Sequence, residues 1–253
     1  MFFSIDGLQL RYDPFPIGLV KPLMKPEIYT QLADNYPPQE LFKSYDYLGK
    51  EGKKFTLSDR ENPSEYYKFL RMKPVWKQFH EWITSDDFTY GVIETLRDHD
   101  VDLGFKYISP GRRIVKRIKA LARGHLCPGA PRLKSRFDFS MMPADGGNQV
   151  PHTDATRKIV TLVVSMAREG EWDPAFGGGT DVNRPKSTRL SFNHVNRPAG
   201  FDEMEILDTY DYTPNQAVVF VKTFNSWHSV RPMTGTASTT MRKTLTINIE
   251  TLS

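Results

Sequence analysis

His152-Thr153-Asp154 pairs an imidazole with a carboxylate, and its chemistry is incomplete without segments that lie far along the chain. On an extended segment, side chains two residues apart point the same way, so the pair can bind one cation from one face. A second imidazole comes from His228, in Phe224-Asn225-Ser226-Trp227-His228-Ser229-Val230, just after the apolar run Ala217 to Val221 that reads as a buried strand. Two imidazoles and one carboxylate, with other coordination positions open, form the facial set suited to non-haem Fe(II). The last segment is Arg242-Lys243-Thr244-Leu245-Thr246-Ile247-Asn248. On a strand, Arg242, Thr244, Thr246 and Asn248 share a face, where a guanidinium fork and a hydroxyl can grip the carboxylate of a dicarboxylic acid. Only a fold that turns several strands onto one interior can bring these segments together.

The second half of the chain has the pattern of such a fold. Arg136 to Met142 alternates polar and apolar residues, and Pro143 to Gly147 reads as a turn. Ile159 to Met166 is almost continuously apolar, with Thr161 and Ser165 on one face, as expected of a strand inside a double layer. Arg189 to Phe192, Met204 to Leu207, Ala217 to Val221 and Thr244 to Ile249 are further predicted strands. Several short strands separated by turn residues suggest a jelly roll or cupin-like barrel.

The first hundred residues read as mainly helical after a short opening strand or two. Pro26 starts a helix that should stop near Tyr36, before Pro37-Pro38, and Asn62-Pro63 caps and starts the next. Pro74 starts a third, with Val75, Phe79, Trp82 and Ile83 on one face, and Ser85 caps a fourth carrying Phe88, Val92 and Leu96. The expected fold class is mainly β with a helical N-terminal part (α+β). Its barrel would be a double-stranded β-helix buttressed by helices. A single domain over 1–253 is expected, with 1–100 as helical support, 101–135 as a basic segment and 136–253 as the barrel core.

Taken together, His152-Thr153-Asp154, Trp227-His228-Ser229-Val230 and Arg242-Lys243-Thr244 resemble the ordered motifs of the Fe(II)- and 2-oxoglutarate-dependent oxygenases, particularly the prolyl-hydroxylase-like branch. Tyr12-Asp13-Pro14-Phe15-Pro16 and Lys25-Pro26-Glu27-Ile28-Tyr29 are similar to that branch's opening. The resemblance implies Fe(II) held by His152, Asp154 and His228, with 2-oxoglutarate and O2 as co-substrates and Arg242, assisted by Thr244, on the distal carboxylate. It further implies a dioxygenase that hydroxylates an unactivated C–H bond and releases succinate and CO2. Because Asp154 is present, hydroxylation is the expected outcome over halogenation. Phe176-Gly177-Gly178-Gly179-Thr180 is similar to the family's glycine turn, where the missing side chains let backbone pass close to the channel; a plain loop hinge is the alternative. A small molecule, sugar or nucleotide conjugate is the expected substrate. A peptidyl, prolyl-type hydroxylase and a non-oxidative metal-binding barrel are the alternatives.

Charge narrows the partners. The chain is net +4, yet the segment from Gly104 to Lys134 holds nine positive residues and no acidic one, so the remainder is net negative. Ile114, Ile118 and Leu121, with Val115 and Ala122 beside them, give that segment an amphipathic helical stripe. It reads as a packed helix with a solvated basic face, as a basic wall or lid near the site mouth attracting an anionic substrate, or as a membrane-surface or nucleic-acid contact. The segment lacks interleaved aromatics, and the last motif carries a single Arg242 where nucleic-acid demethylases of the superfamily carry further Arg and Asn, so nucleic acid is disfavoured. No apolar run approaches the roughly 20 residues of a membrane span. The start, Met1 to Asp6, lacks a basic region and a long apolar region, and Cys127 is the only cysteine, so a cytoplasmic location is expected. His80, His99, His125 and His194 are read as non-ligands.

Overall fold

Alternation along the strands decides which layer each side chain faces. The computed structural model describes residues 1–45, 54–109, 111–112, 114–115, 119 and 132–252. One sheet has eight strands, in the order β1 (Gln9–Arg11), β2 (Ile17–Val20), β10 (Ala217–Val221), β7 (Lys158–Ser165), β12 (Met241–Thr251), β5 (Leu133–Pro143), β4 (Lys54–Leu57) and β3 (Lys43–Tyr45). The other has four, in the order β6 (Gln149–His152), β11 (His228–Val230), β8 (Thr180–Pro185) and β9 (Met204–Tyr210). Neighbouring strands pair antiparallel, as in a jelly roll.

The central strands of the large sheet sort their residues with period two. Val160, Leu162 and Val164 of β7, and Leu245, Ile247 and Ile249 of β12, enter the main apolar core. Thr161 and Val163 of β7, with Arg242, Thr244 and Thr246 of β12, line the interior between the sheets instead. Val182 of β8 packs with Val218, Phe220, Phe15 and Ile17, which ties the small sheet to the large one. The same strands therefore give one dry face for helices and one polar face for chemistry.

Four helices, α1 (Pro26–Asp34), α2 (Pro63–Met72), α3 (Pro74–Ile83) and α4 (Asp86–Asp98), begin where the prolines and the cap place them. The Ser85 hydroxyl accepts the Phe88 N–H at 3.2 Å. Trp76, buried in α3, meets Phe139 of β5 with ring centroids 4.7 Å apart, and Phe79 meets Phe137 at 5.4 Å. The Trp76 indole N–H donates to the Asn35 carbonyl at 2.7 Å, which satisfies the polar edge of a buried ring. No helix among the described residues is long and apolar enough to cross a membrane.

Several local expectations are corrected. In α3 the buried face is Trp76, Phe79 and Ile83, while Val75 and Trp82 are half-buried at its margin. Asn62 stands at the N-cap position of α2 but makes no side-chain capping bond; its side chain instead accepts the Ser58 N–H and donates to the Leu41 carbonyl, and so ties neighbouring loops together. Arg189 to Phe192 is not a strand. Thr188–Leu190 forms a 3-10 turn, the Ser187 hydroxyl takes the Arg189 N–H at 3.3 Å, and Phe192 is 70% exposed. β3 and β4 were not anticipated, being too short for their alternation to register.

In the basic segment, Ile114 and Val115 are 60% and 50% exposed, so they are not buried as a packed stripe. Neither belongs to the apolar clusters that would cover them. Arg113, Lys116, Arg117, Arg123, Ile118, Leu121, Ala122, His125 and Cys127 lie outside the described residues.

Candidate metal centre

β6 ends at His152, and Asp154 adopts a φ of +72°, so strand periodicity does not aim its carboxylate as expected. A turn does so instead. Thr153, fully buried between the two, donates its N–H to the Asn196 side chain at 3.1 Å and its hydroxyl to the Asn193 carbonyl at 2.9 Å. Its own carbonyl accepts the Ser226 hydroxyl at 3.2 Å. An aspartate tolerates the left-handed region better than most residues, and these three bonds hold it there. The loop around His194 is thus part of their framework through Asn193 and Asn196. His194 itself is exposed.

On β11, His228 lies opposite His152 of β6. That register brings the two rings to a centroid separation of 4.3 Å and the His152 Nε2 to 3.6 Å from Asp154 Oδ1. One ligand atom from each of His152, Asp154 and His228 lies within 4.8 Å of the others, the one such group among the described residues. The Nδ1 atoms of His152 and His228 sit 2.9 Å from the Val150 and Ser226 carbonyl oxygens, respectively. A carbonyl oxygen only accepts, so each Nδ1 carries the proton and each Nε2 presents its lone pair. Burial pushes the His228 imidazole down to about 3, and the neighbouring His152 adds to this, so the ring is a neutral donor at neutral pH. Burial alone would raise the Asp154 carboxyl, but Lys158 and then His152 and His228 hold it well below the usual carboxylate range. Two imidazoles and one carboxylate are the donor set of a divalent transition metal.

The Asp154 oxygens are held separately. Lys158 Nζ donates to Oδ1 at 2.7 Å, and Thr161 Oγ1 donates to Oδ2 at 2.9 Å. The Asn248 amide lies 3.3 Å from the same hydroxyl, and its Nδ2 has no partner when its oxygen is the atom facing Thr161. Thr161 has one proton and gives it to Asp154, so the satisfied arrangement turns Nδ2 toward Thr161 as a donor. The chain Asn248 to Thr161 to Asp154 then fixes the carboxylate plane. Thr161→Val keeps the shape and removes this donor, and metal affinity is expected to fall by roughly 10–100-fold, as for other groups that orient a ligand. Competition with a chelator measures it; unchanged affinity would free the hydroxyl of an orienting role.

Arg242 faces the same interior. It is 3% exposed, donates from Nε to the Gly178 carbonyl at 2.5 Å, and sets its guanidinium 4.7 Å from the centre of the Tyr212 ring. No carboxylate among the described residues lies within ion-pair distance of it, and burial pushes it down to about 10 against the pull of Tyr212 and Tyr36. The glycine run explains the fit. Gly178 has a φ of +83°, and a Cβ there would lie 3.1 Å from Arg242 Cδ and 3.0 Å from the Trp172 ring. Arg242 and Thr244 share a cavity of about 100 Å³ with His152, Asp154 and His228. That cavity adjoins an outer one of about 830 Å³, which also touches His152, Asp154 and Lys158.

Lys158, Thr161 and Tyr212 carry this geometry, Lys54 lines the same inner cavity, and none of them was named as a site residue from the sequence. Thr161 had its facing position as a signal; Lys158, across a turn from Asp154, had none, nor had Lys54 or Tyr212. His80 and His99 lie elsewhere; His99 Nε2 sits 2.8 Å from the Leu8 carbonyl.

No family model matches the sequence, and a search of curated proteins finds no relative. Solved structures are similar. The non-haem α-ketoglutarate-dependent carbocyclase SnoK, from nogalamycin biosynthesis, matches with a TM-score of 0.50 at 8% identity, over 92% of this chain and 79% of that one. The chain has the fold of the Fe(II)/2-oxoglutarate oxygenases. Two further solved structures are similar over 92% of this chain. A Pseudomonas putida prolyl-4-hydroxylase matches over 92% of its own length at 12% identity with a TM-score of 0.47. HygX from Streptomyces hygroscopicus, solved with nickel and 2-oxoglutarate bound, matches over 82% of its length at 9% identity with a TM-score of 0.46.

Proposed function

We propose that the protein is an Fe(II)- and 2-oxoglutarate-dependent dioxygenase that hydroxylates an unactivated C–H bond of a hydrophilic small molecule. The observation that carries this reading is the meeting, in one small cavity, of the His152, Asp154 and His228 donors with Arg242, a buried cation lacking a carboxylate partner among the described residues. His152, Asp154 and His228 hold the iron. Arg242, with Thr244 beside it, pairs with the distal carboxylate of 2-oxoglutarate. Bound iron with 2-oxoglutarate and O2 supplies oxidative decarboxylation to succinate and CO2, coupled to insertion of one oxygen atom into the substrate.

The protein supplies orientation. The Val150 and Ser226 carbonyls fix both imidazoles, and Thr161 fixes Asp154. Stacking of Arg242 on Tyr212 and its bond to Gly178 leave the guanidinium little freedom, which favours one placement of the co-substrate. An outer cavity of about 830 Å³ falls in the size range of small-molecule sites, and this favours a small substrate over a peptide.

The deciding experiment is anaerobic loading with Fe(II), addition of 2-oxoglutarate and oxygen, and quantification of succinate. Oxygen- and iron-dependent succinate is expected even without a prime substrate. Metal binding with no succinate under any condition would leave the non-oxidative barrel as the reading.

A further inference from the structure

Lys54 opens β4 and lines both cavities, whereas Arg242 lines only the inner one. The other basic residues on the outer cavity are engaged by carboxylates of the protein. Arg60 and Arg157 meet the buried Glu250 at 3.1 and 3.5 Å, Arg136 meets Asp138 at 2.9 Å, and Lys158 meets Asp154 at 2.7 Å. Lys54 has no described carboxylate within ion-pair distance. Its one described hydrogen bond runs from Nζ to Gln149 Oε1 at 2.9 Å, and an ammonium has three donors to place.

The surroundings make this cation costly to leave alone. Burial, with Lys158 adding to it, pushes the Lys54 ammonium down to about 8 against the weaker pull of Asp138 and Asp154. A cation held in such a place gains most from an anion brought into contact with it. Most residues that line the outer cavity are polar or charged, Val150, Ala155, Pro198, Ala199, Gly200 and Phe201 being the exceptions, although carbon atoms form more than half of its wall. Its polar side chains can bind a molecule with hydrophilic groups, and its junction with the metal cavity holds a positive charge that no carboxylate among the described residues meets.

We propose that Lys54, with Gln149 beside it, forms an anion subsite for the prime substrate, so that the molecule oxidised is a hydrophilic acid whose carboxylate or phosphate rests on the Lys54 ammonium. This rests on the dioxygenase reading, and it gives the two cations different ligands. Arg242 takes the co-substrate, and Lys54 takes the substrate where the two cavities join. The Lys106 to Lys134 segment is not needed for this.

The test compares matched probes in two arms, gluconate against gluconamide and glucose 6-phosphate against glucose, with wild type, Lys54→Met and Lys54→Arg. Calorimetric titration of the zinc-loaded protein at saturating 2-oxoglutarate reads binding without turnover. One acid is expected to bind at least tenfold tighter than its neutral partner, and the arm that does so distinguishes carboxylate from phosphate. Lys54→Met is expected to lose that preference and Lys54→Arg to retain part of it. For wild type the preference should fall as pH rises through about 8, where the ammonium loses its charge, and for Lys54→Arg it should not. Equal binding of acid and neutral partners, no binding by either acid, or an unchanged preference in Lys54→Met overturns the subsite. A tenfold rise in the 2-oxoglutarate dissociation constant in Lys54→Met, without loss of acid preference, assigns Lys54 to the co-substrate and also overturns it. Failure of the dioxygenase reading shows separately, as absence of succinate from the iron-loaded wild type.

Discussion

His228→Ala is expected to leave the two-sheet fold in place and to remove the bound metal. His228 is buried on the short strand β11, and its ring packs 4.4 Å from that of Phe220 as well as against His152. Removing the ring leaves two of three ligands and a cavity open to the interior. Loss of groups that merely orient a ligand weakens metal binding by roughly 10–100-fold, so loss of the ligand itself should exceed about 100-fold, with succinate formation falling in parallel. Metal content after gel filtration reports binding, and circular dichroism reports the fold. Asp154→Ala is expected to do the same and, in addition, to strand Lys158, whose ammonium lies 2.7 Å from the carboxylate. A His228→Ala protein that retains iron and full turnover would remove His228 from the ligand set.

Arg242 gives the second large effect. Arg242→Ala removes the only guanidinium among the described residues that line the inner cavity, and the KM for 2-oxoglutarate is expected to rise by about 30-fold or more, the equivalent of losing a buried charged pair worth about 2–5 kcal/mol. Arg242→Lys keeps the charge but not the planar fork, the stacking on Tyr212 or the Nε bond to Gly178, so an intermediate rise is expected. Thermal unfolding of both variants separates binding from stability, since the Gly178 carbonyl and the Tyr212 ring lose a partner in each. If the KM for 2-oxoglutarate is unchanged in both, the distal carboxylate is held elsewhere and the facing set on β12 has another purpose.

Much of the scaffold was legible because its signals are local. Proline at the first helical turn marks Pro26, Pro63 and Pro74, and Ser85 caps α4 through its own hydroxyl, all within a few residues of chain. The period-two pattern of β7 and β12 sorts core from interior in the same way. Arg189 to Phe192 misled because a side chain three residues or fewer away turned the backbone, a competition that strand propensity does not register.

Sequence by itself determined the kinds of donor available, the strands that carry His152, His228 and Arg242, and the face on which Arg242 and Thr244 lie. Tertiary structure decided how those donors meet. The aim of Asp154 depends on a left-handed turn pinned by Asn193 and Asn196, some forty residues onward, and the orientation of its carboxylate on Thr161 and Asn248 from two other strands. Which cations lack a carboxylate partner among the described residues, Arg242 and Lys54, and which are paired, Arg60 and Arg157 with Glu250 and Arg136 with Asp59, is likewise settled by the folded chain. Periodicity is a property of neighbouring residues, whereas pairing, burial and the resulting shifts in charge depend on what the folded chain places opposite each group.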